Sequence, residues 1–169
     1  MTKKSVVPPT SVETNAEQIA ESRKIAEDIV RGATLATMRG IDQKSLDALY
    51  ALAYNDYNAG QYKQAETLFR FLCLYDHLDK RFWKGLAASL QNQGKYAEAA
   101  AVYGHQAILD VDDPEPPFQA SFCFLADKRY GEARKALEAV VAIGEENPVH
   151  ASYVSKAQDL LHSLERQKA

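Results

Sequence analysis

The side chains that most often carry catalysis or bind metals are scattered along this sequence. Its four histidines are scattered, with no two of them at the i, i+4 spacing of a metal-ligand pair: His77, His105, His150 and His162. The acidic run at 110–115 begins like a calcium-binding loop, but it lacks the glycine of the sharp turn and the closing glutamate. The sequence contains no glycine-rich phosphate loop and no GxSxG motif. We therefore predict a protein that is not an enzyme, with no catalytic residues, no metal site and no cofactor.

A different chemistry, the binding of an apolar partner, is suggested by the segment LDALYALAYNDYNAG at 46–60. Tyr50, Tyr54 and Tyr57 follow an i, i+4, i+7 spacing that places them on one face of a helix. Tyrosine suits binding because it offers a large apolar body, a polar tip and little rotamer freedom to lose. The spacing also allows a second interpretation, in which the three tyrosines simply pack on the preceding helix.

The bulk properties exclude several kinds of partner. A net charge of −3 over 169 residues gives no reason to expect binding to nucleic acid or to an anionic membrane surface. No stretch reaches the roughly 20 apolar residues of a membrane span, and the N-terminus lacks the apolar run of a signal peptide. Cys73 and Cys123 lie in apolar strings and are predicted to be buried free thiols in a reducing compartment. These features predict a cytoplasmic protein.

An internal repeat of 34 residues organises most of the chain. The pattern Gly-x-Tyr-x-x-Ala begins at Gly60 and again at Gly94, and a third copy begins at Lys128, which replaces the glycine. This period and pattern are typical of the tetratricopeptide repeat, a helix-turn-helix unit whose small alanine lets two antiparallel helices approach closely. We predict an all-α fold with three such repeats at about 46–79, 80–113 and 114–147.

The flanking segments complete the predicted architecture. Residues 1–14 are polar, contain Pro8 and Pro9, and are predicted to be disordered. Residues 15–31 are predicted to form an amphipathic helix, residues 33–40 a short one, and residues from Pro148 to about 166 a capping helix. Residues 15–169 are therefore predicted to form a single all-α domain, a concave helical solenoid flanked by N-terminal helices and a C-terminal capping helix.

The concave side of such a solenoid is lined by the first helix of each repeat. Shifting the three tyrosine positions by the repeat length gives Lys84, Ala88 and Gln91 in the second repeat, and Phe118, Phe122 and Leu125 in the third. We therefore predict a groove with two aromatic walls, in which the small Gly85 and Ala88 leave room for pockets. Such a groove suits an extended peptide.

Particular strings extend this interpretation to a family. The string FRFLCLYDHLDKRFW at 69–83, together with GATL…GI at 32–41 and LYALAYNDYNAG at 49–60, resembles the class II chaperones of type III secretion systems, of the SycD/LcrH type. The resemblance runs from about Gly32 to Val141. It implies a bacterial cytosolic chaperone without ATPase activity. Such a chaperone binds secreted hydrophobic translocator proteins through an extended N-terminal segment held in the groove, and prevents their premature association and degradation.

The resemblance also implies site residues and further partners. It assigns peptide binding to Tyr50, Tyr54, Tyr57 and Tyr103 and, less directly, to Tyr62 and Phe71. It implies a homodimer through N-terminal helices and, in some members, an AraC-type regulator as a partner. The alternative is a generic tetratricopeptide-repeat scaffold or transcriptional co-regulator that binds other proteins, such as one with an acidic tail. That alternative needs a cationic clamp, for which the sequence offers Lys84 and Arg81.

Overall fold

The computed structural model describes residues 16–145 and 147–166, and all regular structure within these ranges is helical. The segment 1–14, predicted to be disordered, lies outside the described residues. The chain divides into two compact units, residues 1–34 and residues 35–169. The prediction of one domain over 15–169 stays a prediction. Within the described ranges, no helix combines the length and the hydropathy that a membrane span requires.

The first unit contains one described helix, α1 (Ala16–Val30), close to the predicted 15–31. Gly32, predicted to end this helix, lies two residues after Val30, and its φ of 87° falls in the left-handed region that favours glycine. The N–H of Gly32 donates to the carbonyl of Ile29 at 2.9 Å. On this helix the side chains of Ile19, Ile25 and Ile29 are about half exposed.

The second unit is a row of antiparallel helices in which, from α3 onward, each helix packs on the next one in the chain, whereas the short α2 packs on α4. The predicted helix pairs of the three repeats are all present. The helices are α2 (Leu35–Met38), α3 (Gln43–Asn58), α4 (Tyr62–Tyr75), α5 (Lys80–Asn92), α6 (Tyr96–Leu109), α7 (Glu115–Ala126), α8 (Tyr130–Glu145) and α9 (Ala151–Arg166). The last helix differs from the prediction, because a 3₁₀ turn at Pro148–His150 precedes it and α9 begins only at Ala151.

Alanines at the repeat positions let these helices approach closely. Ala65, Ala99 and Ala133, each separated from the next by one repeat, are fully buried. Around them lie two hydrophobic clusters. One spans α2 to α7 and includes Phe69, Phe82 and Leu90, and the other joins α7, α8 and α9.

The two cysteines are buried free thiols, as predicted. Burial raises the pKa of the Cys73 thiol to about 12 and that of the Cys123 thiol to about 11. Both side chains are therefore neutral at physiological pH and pack as small apolar residues.

Candidate peptide-binding groove

Two adjoining cavities form a groove along α3, α5, α6 and the start of α7. The first, here called the aromatic cavity, has a volume of about 460 Å³ and is lined by Tyr50, Tyr54, Tyr57, Phe69, Arg81, Lys84, Gly85 and Ala88. The second, here called the polar cavity, has a volume of about 360 Å³. It shares Tyr57, Lys84 and Ala88 with the first and adds Gln91, Asn92, Tyr103, Gln106, Glu115 and Gln119. The shared residues place the two cavities side by side.

The tyrosine face of α3 divides between the core and the groove. The ring of Tyr50 lies 6.0 Å from that of Phe69 and 5.8 Å from that of Phe82, measured between centroids, so it packs on two buried side chains. Tyr54 stacks on Tyr50 at 6.1 Å and remains 50% exposed. Tyr50 is therefore an anchored wall of the aromatic cavity, whereas Tyr54 is half exposed and can contact an occupant.

Tyr57 stands where the two cavities meet. Its hydroxyl accepts a hydrogen bond from Nδ2 of Asn92 at 3.1 Å, which ties α3 to α5. The rings of Tyr62 and Tyr57 are arranged edge to face, with their centroids 5.4 Å apart. Tyr62 lines neither cavity and supports Tyr57 from the next helix.

The cations of the groove already have partners. Arg81 donates to Asp79 at 2.6 Å and to Asp47 at 2.9 Å, and its guanidinium lies 5.2 Å from the centre of the Tyr50 ring. The hydrogen bonds with Asp79 and Asp47 raise the pKa of Arg81. Lys84 donates to Glu115 at 2.8 Å across the groove. Burial lowers the pKa of Lys84, but this ion pair outweighs burial and raises it, so the lysine stays charged and paired.

In the polar cavity, Tyr103 and Gln106 are nearly fully buried at 4% exposure each. The Tyr103 hydroxyl donates to Oε1 of Gln91 at 2.9 Å, and burial raises the pKa of this phenol, which keeps it a neutral donor. The Oε1 atom of Gln106 is buried, and none of the hydrogen bonds among the described residues reaches it.

Besides Tyr62, three predicted site residues lie away from these cavities. Phe71 is exposed on α4 and stacks on Tyr75 at 4.3 Å. Phe118 is buried in the second hydrophobic cluster, where it meets Tyr153 at 5.4 Å and Phe122 at 5.0 Å. The described cavities therefore bring together Tyr50, Tyr54, Tyr57, Lys84, Ala88, Gln91 and Tyr103, but not Tyr62, Phe71, Phe118 or Phe122.

On α7 the groove is lined by Glu115 and Gln119 instead of the two phenylalanines. Glu115 and Gln119 lie one repeat after Arg81 and Gly85, which line the aromatic cavity on α5. A shift that starts from the three tyrosines alone misses these two positions. The sequence analysis also missed Phe69, Asn92 and Gln106 as lining residues. Phe69 occupies the repeat's aromatic packing position, but nothing in the sequence distinguishes Gln106.

The acidic run before α7 acts as a helix cap and an ion-pair partner. Asp113 accepts a hydrogen bond from the N–H of Glu115 at 2.9 Å, and Asp110 binds Lys80 of α5. Within residues 16–145 and 147–166, no group of three or more His, Cys, Asp or Glu side chains could hold a metal ion.

The helix pairs and their alanine contacts define a tetratricopeptide-repeat protein. The family model described as "Tetratricopeptide repeat" matches residues 46–79 and 82–113, the first two predicted repeats. The chain is 33% identical to Low calcium response locus protein H of Yersinia pseudotuberculosis, over 81% of this chain and 82% of that protein. It is 38% identical to the chaperone protein SicA of Salmonella typhimurium, over 73% of this chain and 74% of that protein.

Two solved structures match both the fold and the sequence. PcrH of Pseudomonas aeruginosa, in complex with the chaperone binding region of PopD, has a TM-score of 0.70 at 32% identity and covers 77% of this chain and 98% of its own. The type III secretion chaperone SycD of Yersinia enterocolitica, in complex with a peptide of the translocator YopD, has a TM-score of 0.69 at 32% identity, with coverages of 76% and 98%. The chain therefore belongs to the class II chaperones of type III secretion systems, as its resemblance predicted. Membership in this non-enzymatic family also confirms the prediction that it is not an enzyme.

Proposed function

We propose that this protein holds an extended segment of hydrophobic translocator proteins in its groove, in the bacterial cytoplasm before secretion. The bound segment is withheld from premature association and degradation. The observation that carries this proposal is the aromatic cavity, whose Tyr54 ring is half exposed on a scaffold shared with PcrH and SycD. Those two proteins have been solved with a region of PopD and a peptide of YopD.

The physical requirements of this function match the groove. A chaperone that must release its client needs a moderate affinity, between micromolar and nanomolar, or roughly 8 to 12 kcal/mol. A few buried apolar anchors, at about 1 to 3 kcal/mol each, supply a large share of that free energy. The aromatic cavity offers such an anchor the rings of Tyr50 and Tyr54 as lining.

The change Tyr54→Ala tests the proposal. It removes an exposed ring, so we expect the affinity for translocators that copurify with the wild-type chain to fall at least tenfold while the helical circular dichroism persists. Tyr50→Ala is a poorer test, because Tyr50 packs on Phe69 and Phe82 and its loss would also destabilise the fold.

Tyr130→Ala is the matched control, because Tyr130 is 46% exposed and lines neither cavity. It should bind the client with wild-type affinity. The proposal is wrong if no translocator copurifies with the wild-type chain, or if Tyr54→Ala binds it as tightly as the wild type does. Isothermal titration calorimetry measures both affinities.

The alternative, a scaffold that clamps an acidic tail, is not supported by the electrostatics of the groove. Lys84 is paired with Glu115, and Arg81 with Asp79 and Asp47, so neither candidate cation is available without breaking an existing pair. Breaking such pairs would offset the gain from a new carboxylate.

We further propose that the protein forms a homodimer through its N-terminal helices. Ile19, Ile25 and Ile29 of α1 are about half exposed, and SycD has been crystallised as an alternative dimer. Sedimentation equilibrium of Ile25→Asp should show a shift towards monomer relative to the wild type, and an unchanged mass would contradict this interface. The AraC-type regulator stays a prediction from the family resemblance, which a pull-down with the purified regulator would test.

A further inference from the structure

Lys84 of α5 lies where the aromatic cavity and the polar cavity adjoin. The residues that line both cavities are Tyr57, Lys84 and Ala88, and Lys84 is the one among them that carries a charge. Its side chain is 54% exposed, so it borders the space that an occupant of the groove would fill. An extended segment that places side chains in both cavities therefore passes the side chain of Lys84.

The ammonium group of Lys84 is held in place by Glu115 at the start of α7. Its Nζ atom lies 2.8 Å from each oxygen of the Glu115 carboxylate, and Glu115 itself lines the polar cavity. An ammonium group has three N–H donors, and the two oxygens of Glu115 engage at most two of them. At least one N–H of Lys84 is therefore left to water in the absence of a client.

The charges of this ion pair favour a neutral acceptor for the remaining N–H. A client carboxylate beside Lys84 would also lie close to the Glu115 carboxylate, which repels it, and a client ammonium would be repelled by Lys84 itself. A main-chain carbonyl has no net charge, and it forms a strong hydrogen bond with a charged donor. Every residue of an extended segment offers one, so this contact suits a chaperone that binds translocators of different sequence.

We propose that Lys84, positioned by Glu115, donates a hydrogen bond to one main-chain carbonyl of the client and thereby fixes the register of the bound segment in the groove. This inference rests on the proposed function and extends it. The apolar side chain that enters the aromatic cavity then lies at a fixed offset from the bonded carbonyl. The aromatic rings bind the apolar side chain, whereas Lys84 determines which main-chain atom lies between the two cavities.

A thioamide scan of a bound peptide tests this contact. The peptide is the segment of a copurified translocator that the wild-type chain protects from limited proteolysis, and each thioamide replaces one carbonyl oxygen by sulfur, a weaker hydrogen-bond acceptor. One position should weaken binding to the wild-type chain about fivefold in isothermal titration calorimetry. The same thioamide should change binding to the double variant Lys84→Met, Glu115→Gln by less than about twofold, because this variant has no ammonium to donate. Glu115→Gln is included so that no unpaired carboxylate remains in the groove.

The double variant Lys80→Met, Asp110→Asn is the matched control. Lys80 also lies on α5 and pairs with an acidic residue at the end of α6, but neither residue lines a cavity. It should lose as much affinity as the wild type at the same thioamide.

The inference is wrong if no thioamide weakens binding to the wild-type chain. It is also wrong if the Lys84 variant loses as much affinity as the wild type at that thioamide, since the ion pair would then have a purely structural role. In both cases the proposed function still stands, provided that the unmodified peptide binds the wild-type chain and Tyr54→Ala weakens it. If the wild-type chain does not bind the unmodified peptide, the proposed function fails as well.

Discussion

At the scale of single residues, the aromatic cavity depends on the absence of a side chain at position 85. A β-carbon built on Gly85 would lie 2.3 Å from Cε1 and Cζ of the Phe69 ring, which is far inside van der Waals contact. Phe69 is 1% exposed and in turn supports the ring of Tyr50. The glycine therefore lets α5 approach α4 closely enough to fix the floor and one wall of the cavity.

We predict that Gly85→Ala destabilises the fold by about 1 to 2 kcal/mol, because overpacking against Phe69 outweighs the gain in helix propensity of about 1 kcal/mol. Urea denaturation followed by circular dichroism measures the difference. Gly104→Ala is the control, because Gly104 lies within α6 and a β-carbon there would have no neighbour within 4 Å. It should stabilise the fold by up to about 1 kcal/mol. If Gly85→Ala and Gly104→Ala changed the free energy of unfolding equally, the close approach of α5 to α4 at Gly85 would be contradicted.

At the scale of elements, Glu66 joins the first repeat to the second. Its carboxylate accepts hydrogen bonds from Arg70 at 2.9 Å on its own helix, and from Gln93 at 2.8 Å and Lys95 at 2.7 Å in the turn between α5 and α6. Burial alone would raise the pKa of Glu66, but these bonds outweigh it and lower the pKa from 4.5 to about 2. The ionised carboxylate therefore stabilises the inter-repeat contact.

We predict that Glu66→Gln costs about 3 kcal/mol of unfolding free energy at pH 7, the equivalent of the lowered pKa. Because the folded pKa lies below the unfolded one, this contribution is complete above about pH 5 and is lost as the pH falls towards 2. Urea denaturation should show that the difference in unfolding free energy between Glu66→Gln and the wild type becomes smaller as the pH falls through this range. Glu98→Gln, which removes a more exposed partner of Arg70, should change stability by less than about 0.5 kcal/mol. A difference in unfolding free energy that does not change with pH would contradict the stabilising role of the Glu66 charge.

The turn of the third repeat carries a conformational cost that the first two avoid. Lys128 has a φ of 59°, in the left-handed region, whereas Gly60 and Gly94 occupy the equivalent turns at 75° and 74°. A residue with a β-carbon in the left-handed region costs roughly 1 to 2 kcal/mol of folding free energy. Glycine avoids this cost, but its unfolded chain is more flexible, so the entropy that it loses on folding offsets part of the gain.

We therefore predict that Lys128→Gly stabilises the fold by about 0.5 to 1 kcal/mol, measured as a higher midpoint of thermal unfolding. Gly94→Ala is the reverse change at the matching turn, where a β-carbon would have no neighbour within 4 Å. It should destabilise by about 1 kcal/mol through backbone strain alone. A lower midpoint for Lys128→Gly would mean that the lysine side chain contributes more than its strain costs.

At the scale of the molecule, the unit 35–169 is a linear stack whose stability comes from contacts between neighbours. The second hydrophobic cluster joins α7, α8 and α9, and within it Ala157 and Leu164 of α9 cover Leu137 and Val140 of α8. A terminal helix of this kind protects the apolar face of the last repeat from water.

We predict that a chain ending at Asn147, which lacks α9, loses hydrogen-exchange protection mainly in α7 and α8. The helices α4 and α5 should keep most of their protection, since they belong to the first cluster and do not contact α9. Mass spectrometry of exchanged peptides measures this pattern. If protection were lost equally in all helices, or in none, the stability of each helix would not depend mainly on contacts with its neighbours, and the prediction would be wrong.

Most of the fold could be predicted because its signals are local. The 34-residue period, the alanines at Ala65 and Ala99 and the glycine turns depend on spacing along the chain, and the helix boundaries follow within a few residues. The same spacing placed Tyr50, Tyr54 and Tyr57 on one helix face, and their cavity is present. Periodicity carries this information because each repeat must bury the same face against its neighbours.

The sequence by itself therefore determined the repeat architecture, the tyrosine face of α3 and the family of the protein. Only the tertiary structure decided which side chains meet in the groove. It placed Phe118 in the core against α9 and Gln119 at the polar cavity, and it brought Gln106 of α6 to that cavity. The physical reason is that the repeat period fixes which positions are equivalent along the chain, whereas the neighbouring helices against which each position packs decide whether it is buried or borders a cavity.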